Sequence, residues 1–281
     1  MKKKMAILGP KGTHSEDAAL YLNKSDEYEL TEYEEIEDAL LAAEKNEVDA
    51  ALVPVENSLE GAINVTLDYL AASEKLVVAR ELIWPVHNAL MAKESIDLAQ
   101  IRRIYSHPQP ISQCRTFLRK NCPKAQIIKV SSTAKAAETA ADEKKSAAVC
   151  AERGGALHGL SVLAKNIEDN STNCTRFFEV RNRENKDFPL DQKAQKSLVI
   201  CRIDGRKAGA LLEVLEEFAH REVNLTRIES RPARTRLGDY IFFFDIERGN
   251  SPKNEEEAVA AVKRRSIWLK FLGSFEVITA N

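Results

Sequence analysis

The length of the chain and its balanced charge limit what the protein can be. It has 281 residues, and 41 Lys and Arg against 43 Asp and Glu give a formal net charge of -2. At ~100–200 residues per domain, about two domains are expected. Nucleic-acid binding is excluded as the main role, because neutralising phosphates requires a basic surface.

The spacing of the cysteines and histidines and the short apolar runs indicate a soluble, cytoplasmic protein without a metal site. The five cysteines have no CxxC spacing and are odd in number, which favours a reducing compartment over a disulfide framework. The five histidines are dispersed, without HExxH spacing. The apolar run at 5–8 is shorter than the about 7–15 residues of a signal peptide core. No run approaches the ~20 residues of a membrane span, so no membrane partner is expected.

Short apolar runs alternate with amphipathic helical stretches through the first two thirds of the chain. Strands are predicted at 5–8, 29–33, 50–53, 76–82, 89–92, 103–105, 126–130, 147–150 and 176–180. Helices are predicted at 14–22, 35–45, 62–72, 110–120, 133–144 and 151–157. This alternation indicates a largely parallel sheet with helices on its faces.

A polar segment at 182–196 is typical of a linker, and the pattern restarts after it. Strands are predicted at 197–203, 225–231, 240–247 and 275–279, with helices at 209–221 and 254–270. The order βαββαβ is that of a ferredoxin-like unit.

Polar loops follow several of the buried strands, each before a predicted helix. They lie at 9–16, 56–58, 106–114 and 131–133. Open α/β sheets bind ligands at the carboxyl ends of their strands, and helix N-termini attract anions. The loops together predict a shared site for a small carboxylate, whereas N-capping is the alternative for each loop alone. Thr13 and Glu16 have capping-box spacing.

A last polar segment, 169–177, precedes the final strand of the first half. In it, Arg176 is suited to clamp a carboxylate and Thr175 to donate a hydrogen bond. An Asx-rich turn with Arg176 on the surface is the alternative.

Four motifs, in this order, resemble the prephenate dehydratase family. GPxGTxS is matched at 9–15, VPxENSxEG at 53–61, SHPQxxxQC at 106–114 and DxxxNxTRF at 169–177. The C-terminal part resembles an ACT regulatory domain. One departure is His14, where the family more often has an aromatic residue.

The resemblance implies an α/β fold with a two-lobed, type II periplasmic-binding-protein-like catalytic domain and a ferredoxin-like βαββαβ ACT domain. The catalytic domain is expected at 1–182, with lobe one at about 1–77 and 175–182 and lobe two at about 78–174. The linker is expected at 183–196 and the ACT domain at 197–281. A chorismate mutase domain, found in fused relatives, has no room before Met5, so a monofunctional chain is expected.

The implied activity is conversion of prephenate to phenylpyruvate, water and carbon dioxide in phenylalanine biosynthesis. No cofactor is expected, because the departing hydroxyl serves as the electron sink. The ACT domain implies feedback inhibition by phenylalanine, and the family forms homodimers or homotetramers. Arogenate dehydratase and a non-catalytic, ligand-sensing binding protein are the alternatives.

The resemblance also implies roles for single residues. Thr175 is the candidate donor to the leaving hydroxyl, with Glu56, protonated by burial, as its rival and His107 as a third candidate. Substrate binding is expected from Thr13, Asn57, Ser58, Ser106, Gln113, Thr133, Arg176 and Phe177. Phenylalanine binding is expected from Gly209, Ala210, Leu211, Leu212, Asn224, Leu225, Glu229, Ser230, Arg231 and Pro232.

Overall fold

Two β-sheets, one of ten strands and one of five, organise the chain. The computed structural model describes residues 2–185, 193–235, 238–249 and 251–280. None of the helices in those ranges is long and apolar enough to cross a membrane.

The first lobe is built from the N-terminal elements and one returning strand. Its elements are β1 (Lys3–Leu8), α1 (His14–Leu22), β2 (Tyr28–Tyr33), α2 (Ile36–Glu44), β3 (Ala50–Asn57), β4 (Gly61–Ala62), α3 (Asn64–Ala72) and β5 (Leu76–Pro85). Strands β1, β2 and β3 are parallel, and β3 is buried from Ala50 to Val55 because helices cover both faces of the sheet. Ala39, Leu40 and Ala43 of α2 are fully buried, because residues at this helical spacing share one face of the helix.

The second lobe holds the five-stranded sheet, in the order β10-β6-β9-β7-β8. Its elements are β6 (Ala89–Ala92), β7 (Arg103–Ser106), α4 (Pro108–Gln113), α5 (Arg115–Asn121), β8 (Gln126–Lys129), α6 (Thr133–Asp142), β9 (Ser146–Cys150), α7 (Glu152–Leu157) and β10 (Ser161–Ala164), with a 3₁₀ turn at Leu98–Gln100. The single helix predicted at 110–120 is two helices that meet at Cys114.

Two chain crossings join the lobes. Strand β5 leaves the first sheet at Pro85, and β11 (Cys174–Asn182) returns to lie antiparallel between β5 and β3. This is the expected two-lobed arrangement with crossing strands. Lobe two was expected to start near 78, but that position lies within β5 of the first sheet. The second sheet begins only at Ala89, after β5 has ended.

The C-terminal unit has the predicted order βαββαβ. Its elements are β12 (Lys196–Arg202), α8 (Ala210–Ala219), β13 (Leu225–Pro232), β14 (Tyr240–Glu247), α9 (Pro252–Arg265) and β15 (Trp268–Thr279). The helix predicted at 254–270 was too long, and the strand predicted at 275–279 was too short, because the chain becomes extended at Ser266. The expected linker falls mostly on 186–192, outside the described residues.

The C-terminal unit continues the sheet of the first lobe. The first part of β15 pairs with β12, whereas Glu276–Thr279 pairs in parallel with Arg80–Ile83 of β5. Side chains of the unit also reach α3: the Arg231 guanidinium donates to Asp68, and Lys270 Nζ donates to the Leu70 carbonyl at 2.7 Å. The unit is therefore fixed directly against the strands that connect the lobes.

Lys270 supports a prediction on the pH dependence of stability. Burial lowers the pKa of its ammonium to about 8 from 10.5. Between these values the unfolded chain binds more protons than the folded one, so this group makes the folded state more stable as pH rises. Relative to Lys270→Met, the wild-type unfolding free energy is expected to gain up to about 1.4 kcal/mol per pH unit above about pH 8. Urea denaturation from pH 7 to pH 10 measures this difference.

Lys263→Met is the matched control, because Lys263 is exposed at the end of α9. Its stability curve should run parallel to that of the wild type over the same pH range. A parallel curve for Lys270→Met as well would contradict the lowered pKa.

Candidate active site

A cavity of about 460 Å³ lies between the two lobes. Its volume falls within the ~300–1,000 Å³ typical of sites for small molecules. Predicted residues from both lobes meet in its lining: Thr13, Asn57, Gln113, Thr133, Thr175 and Phe177. Residues far apart in the sequence are therefore gathered around one pocket.

Strand pairing places Asn57 and Thr175 side by side. Asn57 ends β3, Thr175 lies near the start of β11, and the two residues are directly opposite in the antiparallel ladder. Opposed residues share one face of a sheet, so both side chains point into the cavity. A register shift follows at once, between Arg176 and Phe177, as is common beside functional sites.

Hydrogen bonds fix the orientation of the Asn57 amide and leave the Thr175 proton available. Asn57 Oδ1 accepts from the backbone N–H groups of Leu59 and Glu60, at 3.0 and 3.2 Å. Asn57 Nδ2 therefore faces Thr175 and donates to its Oγ1 at 3.1 Å. Because Oγ1 accepts this bond, the hydroxyl proton of Thr175 is free to be donated into the cavity.

Glu56 and Arg176 do not reach the cavity, which corrects two expectations. Each is adjacent in its strand to a cavity residue, and successive side chains of a strand point to opposite faces. On the reverse face, Arg176 donates to Glu81 at 2.6 Å and also to Asp245. Glu56 Oε2 lies 3.0 Å from Arg227 Nε. Glu56 is thus an ion-pair partner on the reverse face and does not line the cavity.

Ser58 and Ser106 also have structural positions instead of the expected substrate contacts. Ser58 Oγ accepts from the Cys174 N–H at 3.0 Å and holds the turn after β3 against β11. Ser106 is fully buried and donates to the Val149 carbonyl at 2.6 Å. Both hydroxyls are engaged by backbone, so they stabilise the walls of the site.

The start of α1 differs from the predicted capping box. Glu16 accepts from the Gly12 N–H at 2.6 Å, whereas the Thr13 side chain makes no capping hydrogen bond. Thr13 Oγ1 is instead buried in the cavity wall, and no described residue is its hydrogen-bond partner. Gln113 Nε2, from the second lobe, is also buried and has no partner among the described residues. Unsatisfied buried groups are costly, so both atoms are suited to a polar ligand.

Among the described residues, helix ends and one charged side chain, the Glu60 carboxylate, set the electrostatics of the cavity. Helices α1 and α6 begin at its wall, one from each lobe, and helix N-termini favour anions. Ser132 caps α6 by accepting from the Lys135 N–H at 3.0 Å. In the part of the chain that the structure describes, no lysine or arginine lines the cavity.

His14 is a site residue that sequence reasoning did not identify. It lines the cavity, and its Nε2 is buried with no hydrogen-bond partner in the part of the chain that the structure describes. Burial lowers its pKa to about 4, with the neighbouring His87 acting in the same direction against Asn88 and Glu168. The ring is therefore neutral at ordinary pH. The signal available in the sequence was its departure from the family's aromatic residue.

His107, the third candidate acid, also lines the cavity. Its Nδ1 accepts from the Gln109 N–H at 3.4 Å, so the ring caps α4.

The two lobes touch at one rim of the cavity. Gly12 of the first lobe and Gly154 of the second approach so closely that a Cβ on Gly154 would lie 2.2 Å from the Gly12 carbonyl oxygen. Beside this contact, Arg153 binds the carboxylate of Glu16 and lies 3.3 Å from that of Asp17. Burial would raise the pKa of Glu16, but Arg153 and the Gly12 N–H lower it overall. We call Gly12, Gly154, Glu16 and Arg153 the lobe latch.

The predicted regulatory residues lie in two segments of the C-terminal unit. Gly209 has φ of +79° immediately before α8, a conformation that suits glycine, and it leads into Ala210, Leu211 and the exposed Leu212. The other segment comprises Asn224, which donates to Glu247, and then Leu225, Glu229, Ser230, Arg231 and Pro232 of β13. Arg231 is engaged by Asp68, at 3.0 and 2.9 Å.

Comparison with known proteins identifies the family. The chain matches the prephenate dehydratase family over residues 5–185 and the ACT domain over residues 199–264. A protein of Amycolatopsis methanolica named prephenate dehydratase is 38% identical over 273 residues, covering 97% of this chain and 88% of that protein. One of Lactococcus lactis subsp. lactis (strain IL1403), with the same name, is 35% identical and covers 98% of each chain.

A solved structure supports the same assignment. Prephenate dehydratase from Arthrobacter aurescens, in complex with L-Phe, superposes with a TM-score of 0.87 at 35% identity, covering 97% of this chain and 90% of that chain. The match extends through both lobes and the C-terminal unit. The chain therefore belongs to the prephenate dehydratase family and carries a C-terminal ACT domain.

Proposed function

We propose that this protein is a prephenate dehydratase of phenylalanine biosynthesis, converting prephenate to phenylpyruvate, water and carbon dioxide. The observation that carries the proposal is the Asn57–Thr175 pair, which presents a hydroxyl proton to a cavity between two lobes. Family membership supports the same reaction.

Thr175 is the proposed donor to the leaving hydroxyl. As the ring C–O bond breaks, the departing oxygen receives the proton. The bond between the ring and its carboxylate supplies the electron pair that completes the aromatic ring. The Asn57 amide, 3.1 Å from Thr175 Oγ1, stabilises negative charge that develops on the threonine oxygen. General acid catalysis of this kind typically contributes ~10²–10⁴-fold.

No lysine or arginine of the described ranges lines the cavity, and this suits a decarboxylation. A bidentate arginine would stabilise the ring carboxylate as an anion and oppose its loss as carbon dioxide. Helix ends and neutral groups, such as Thr13, Gln113 and Thr133, hold carboxylates more weakly. Phe177, almost fully buried in the cavity wall, packs against the first-lobe core and offers an apolar surface for the ring.

Incubation of the protein with prephenate tests the proposal, with phenylpyruvate read by its absorbance in alkali. Phenylpyruvate and carbon dioxide in equal amounts are expected. Arogenate supplied instead distinguishes the alternative dehydratase, since it would yield phenylalanine directly. Binding of either compound without turnover would identify a ligand-sensing protein and refute the enzyme.

Regulation by phenylalanine belongs to the same proposal. The effector is assigned to the ACT domain, at the segments of Gly209–Leu212 and Glu229–Pro232. Strand β13 is an outer strand of the ten-stranded sheet, and Ile228 on it is about half exposed. A second copy of the chain pairing along this edge would cover Ile228, which supports a homodimer, with a dimer of dimers as the larger assembly.

A cytoplasmic location is also proposed. All five cysteines are free thiols, and four of them are buried, as suits a reducing compartment.

His14→Phe is expected to raise KM about 3–10-fold, because it removes one neutral hydrogen bond to the substrate while keeping an aromatic ring of similar size. Steady-state kinetics at pH 6, 7 and 8 measure this effect. Since the His14 ring is neutral throughout, the ratio between variant and wild type should not change with pH.

His220→Phe is the matched control, since His220 is exposed at the end of α8. It should leave KM unchanged. Equal KM values for His14→Phe and wild type would remove His14 from the substrate contacts.

A further inference from the structure

A group of charges, fully buried only at its centre, joins the ACT domain to the reverse face of the strands that carry Asn57 and Thr175. We call it the interface ion cluster, and its members are Glu56, Glu81, Arg176, Lys196, Arg227 and Asp245. Glu56, Glu81 and Arg176 come from the catalytic lobe, and the other three from the ACT domain.

Arg176 is the centre of the interface ion cluster. Its Nη2 donates to Glu81 at 2.6 Å, and its Nη1 donates to Asp245 and lies 3.6 Å from Glu56. Glu81 is fully buried, and Asp245 is 1% exposed. Burial opposes the charge on Arg176, but the carboxylates of Asp245 and Glu81 outweigh it and raise its pKa. The guanidinium is therefore charged and held in one position.

The other contacts cross the same interface. Lys196 Nζ is 2.8 Å from Glu81, and Arg227 Nε is 3.0 Å from Glu56. Arg227 also lies 3.1 Å from Glu229 of its own domain. Three cations thus face three carboxylates of the cluster and this fourth one, and the catalytic lobe supplies only one of the cations. Removing one partner from such a group leaves an uncompensated buried charge, so its members are held together tightly.

Two members of the interface ion cluster are sequence neighbours of residues that line the cavity. Arg176 directly follows Thr175 in β11, and Glu56 directly precedes Asn57 in β3. The same two strands pair Arg176 with Glu56 and Thr175 with Asn57. A displacement of the Arg176 or Glu56 backbone therefore moves the Asn57–Thr175 hydrogen bond on the cavity face.

We propose that Asp245 of the ACT domain is a positioning residue for the active site. By holding Arg176, it fixes the backbone on which Thr175 and Asn57 meet. The ACT domain is thereby part of the catalytic scaffold, and movement of β14 transmits the effector's signal to Thr175. This inference rests on the proposed function for its kinetic consequence.

Asp245→Asn tests the proposal, since it removes the charge and keeps the size of the side chain. A kcat about 10–100-fold below wild type is expected, because small misplacements of catalytic groups have effects of this size. KM should change by less than about threefold, since the cavity lining is intact. Phenylalanine should still bind by calorimetry but inhibit less.

Hydrogen exchange supplies a readout that does not depend on the reaction. Amides of β3 and β11 should exchange faster in Asp245→Asn than in wild type. Arg265→Gln is the matched control, because it breaks ion pairs with Glu213 and Glu217 on the surface of the same ACT domain. It should leave kinetics, inhibition and exchange in these strands unchanged.

The possible results distinguish the positioning role of Asp245 from the proposed dehydratase function. Wild-type kcat, inhibition and exchange rates in Asp245→Asn would overturn the positioning role. A wild-type protein inactive on prephenate would instead refute the proposed function, and faster exchange in the variant would still support the positioning role. If Asp245→Asn does not fold, Arg227→Gln breaks the neighbouring contact with Glu56 and also the pair with Glu229 in the effector segment, so kcat and the exchange rates of β3 and β11 then decide the question.

Discussion

Thr175→Val should lower kcat about 10²–10⁴-fold, the range of a lost general acid. Valine keeps the β-branched shape that suits β11, so the strand and the cavity wall should be retained. The Asn57 amide keeps its other acceptors, Asn173 Oδ1 at 2.9 Å and the Cys174 carbonyl at 3.2 Å. The loss of stability should therefore be near ~1 kcal/mol, the net contribution of one hydrogen bond.

Thr175→Ser is the matched control for this prediction. Serine keeps the hydroxyl that accepts from Asn57 and donates into the cavity, so its kcat should lie within about tenfold of wild type. Single-turnover measurements with saturating prephenate separate the chemical step from product release. Substantial turnover by Thr175→Val would show that Thr175 is not the donor and would direct attention to His107, the other candidate that lines the cavity.

The sequence predicted the gathering of Asn57, Gln113 and Thr175, but it assigned Glu56 and Arg176 to the wrong face. The reason is the extent of two strands. The predicted strands covered 50–53 and 176–180, which left Glu56 in a loop and Arg176 at the very start of a strand, so the direction of neither side chain was fixed. Strands β3 and β11 in fact run through Asn57 and from Cys174, so neighbouring side chains must alternate.

The contribution of the ACT domain to the catalytic lobe was not predictable from one sequence. The βαββαβ order followed from local periodicity, which each segment carries by itself. The pairing of β15 with β5 and the contact of Arg176 with Asp245 join residues with no local signal between them. Such contacts depend on how two folded units dock, so only the structure shows that β11 is supported from both sides.

Gly154→Ala should reduce kcat/KM about 10²-fold without unfolding the protein. The added Cβ would lie 2.2 Å from the Gly12 carbonyl oxygen, so the lobes must separate at the lobe latch. Separation moves Gln113 and Thr133 away from Asn57 and Thr175, and a misplacement of about 1 Å costs about this much in rate. Within α7, alanine is the better helix former by about 0.5–1 kcal/mol, so the second lobe itself should be stable.

Steady-state kinetics of Gly154→Ala measure the loss of kcat/KM, and thermal melting shows whether the variant is folded. Gly249→Ala is the matched control, because a Cβ there meets no atom within 4 Å. Arg153→Ala separates the parts of the lobe latch: it removes the ion pairs with Glu16 and Asp17 but leaves the glycine contact, so its loss of kcat/KM should be smaller. If Gly154→Ala retains wild-type kcat/KM, close approach of the lobes at this rim is not needed for the reaction. Closure would then have to be completed by the substrate itself.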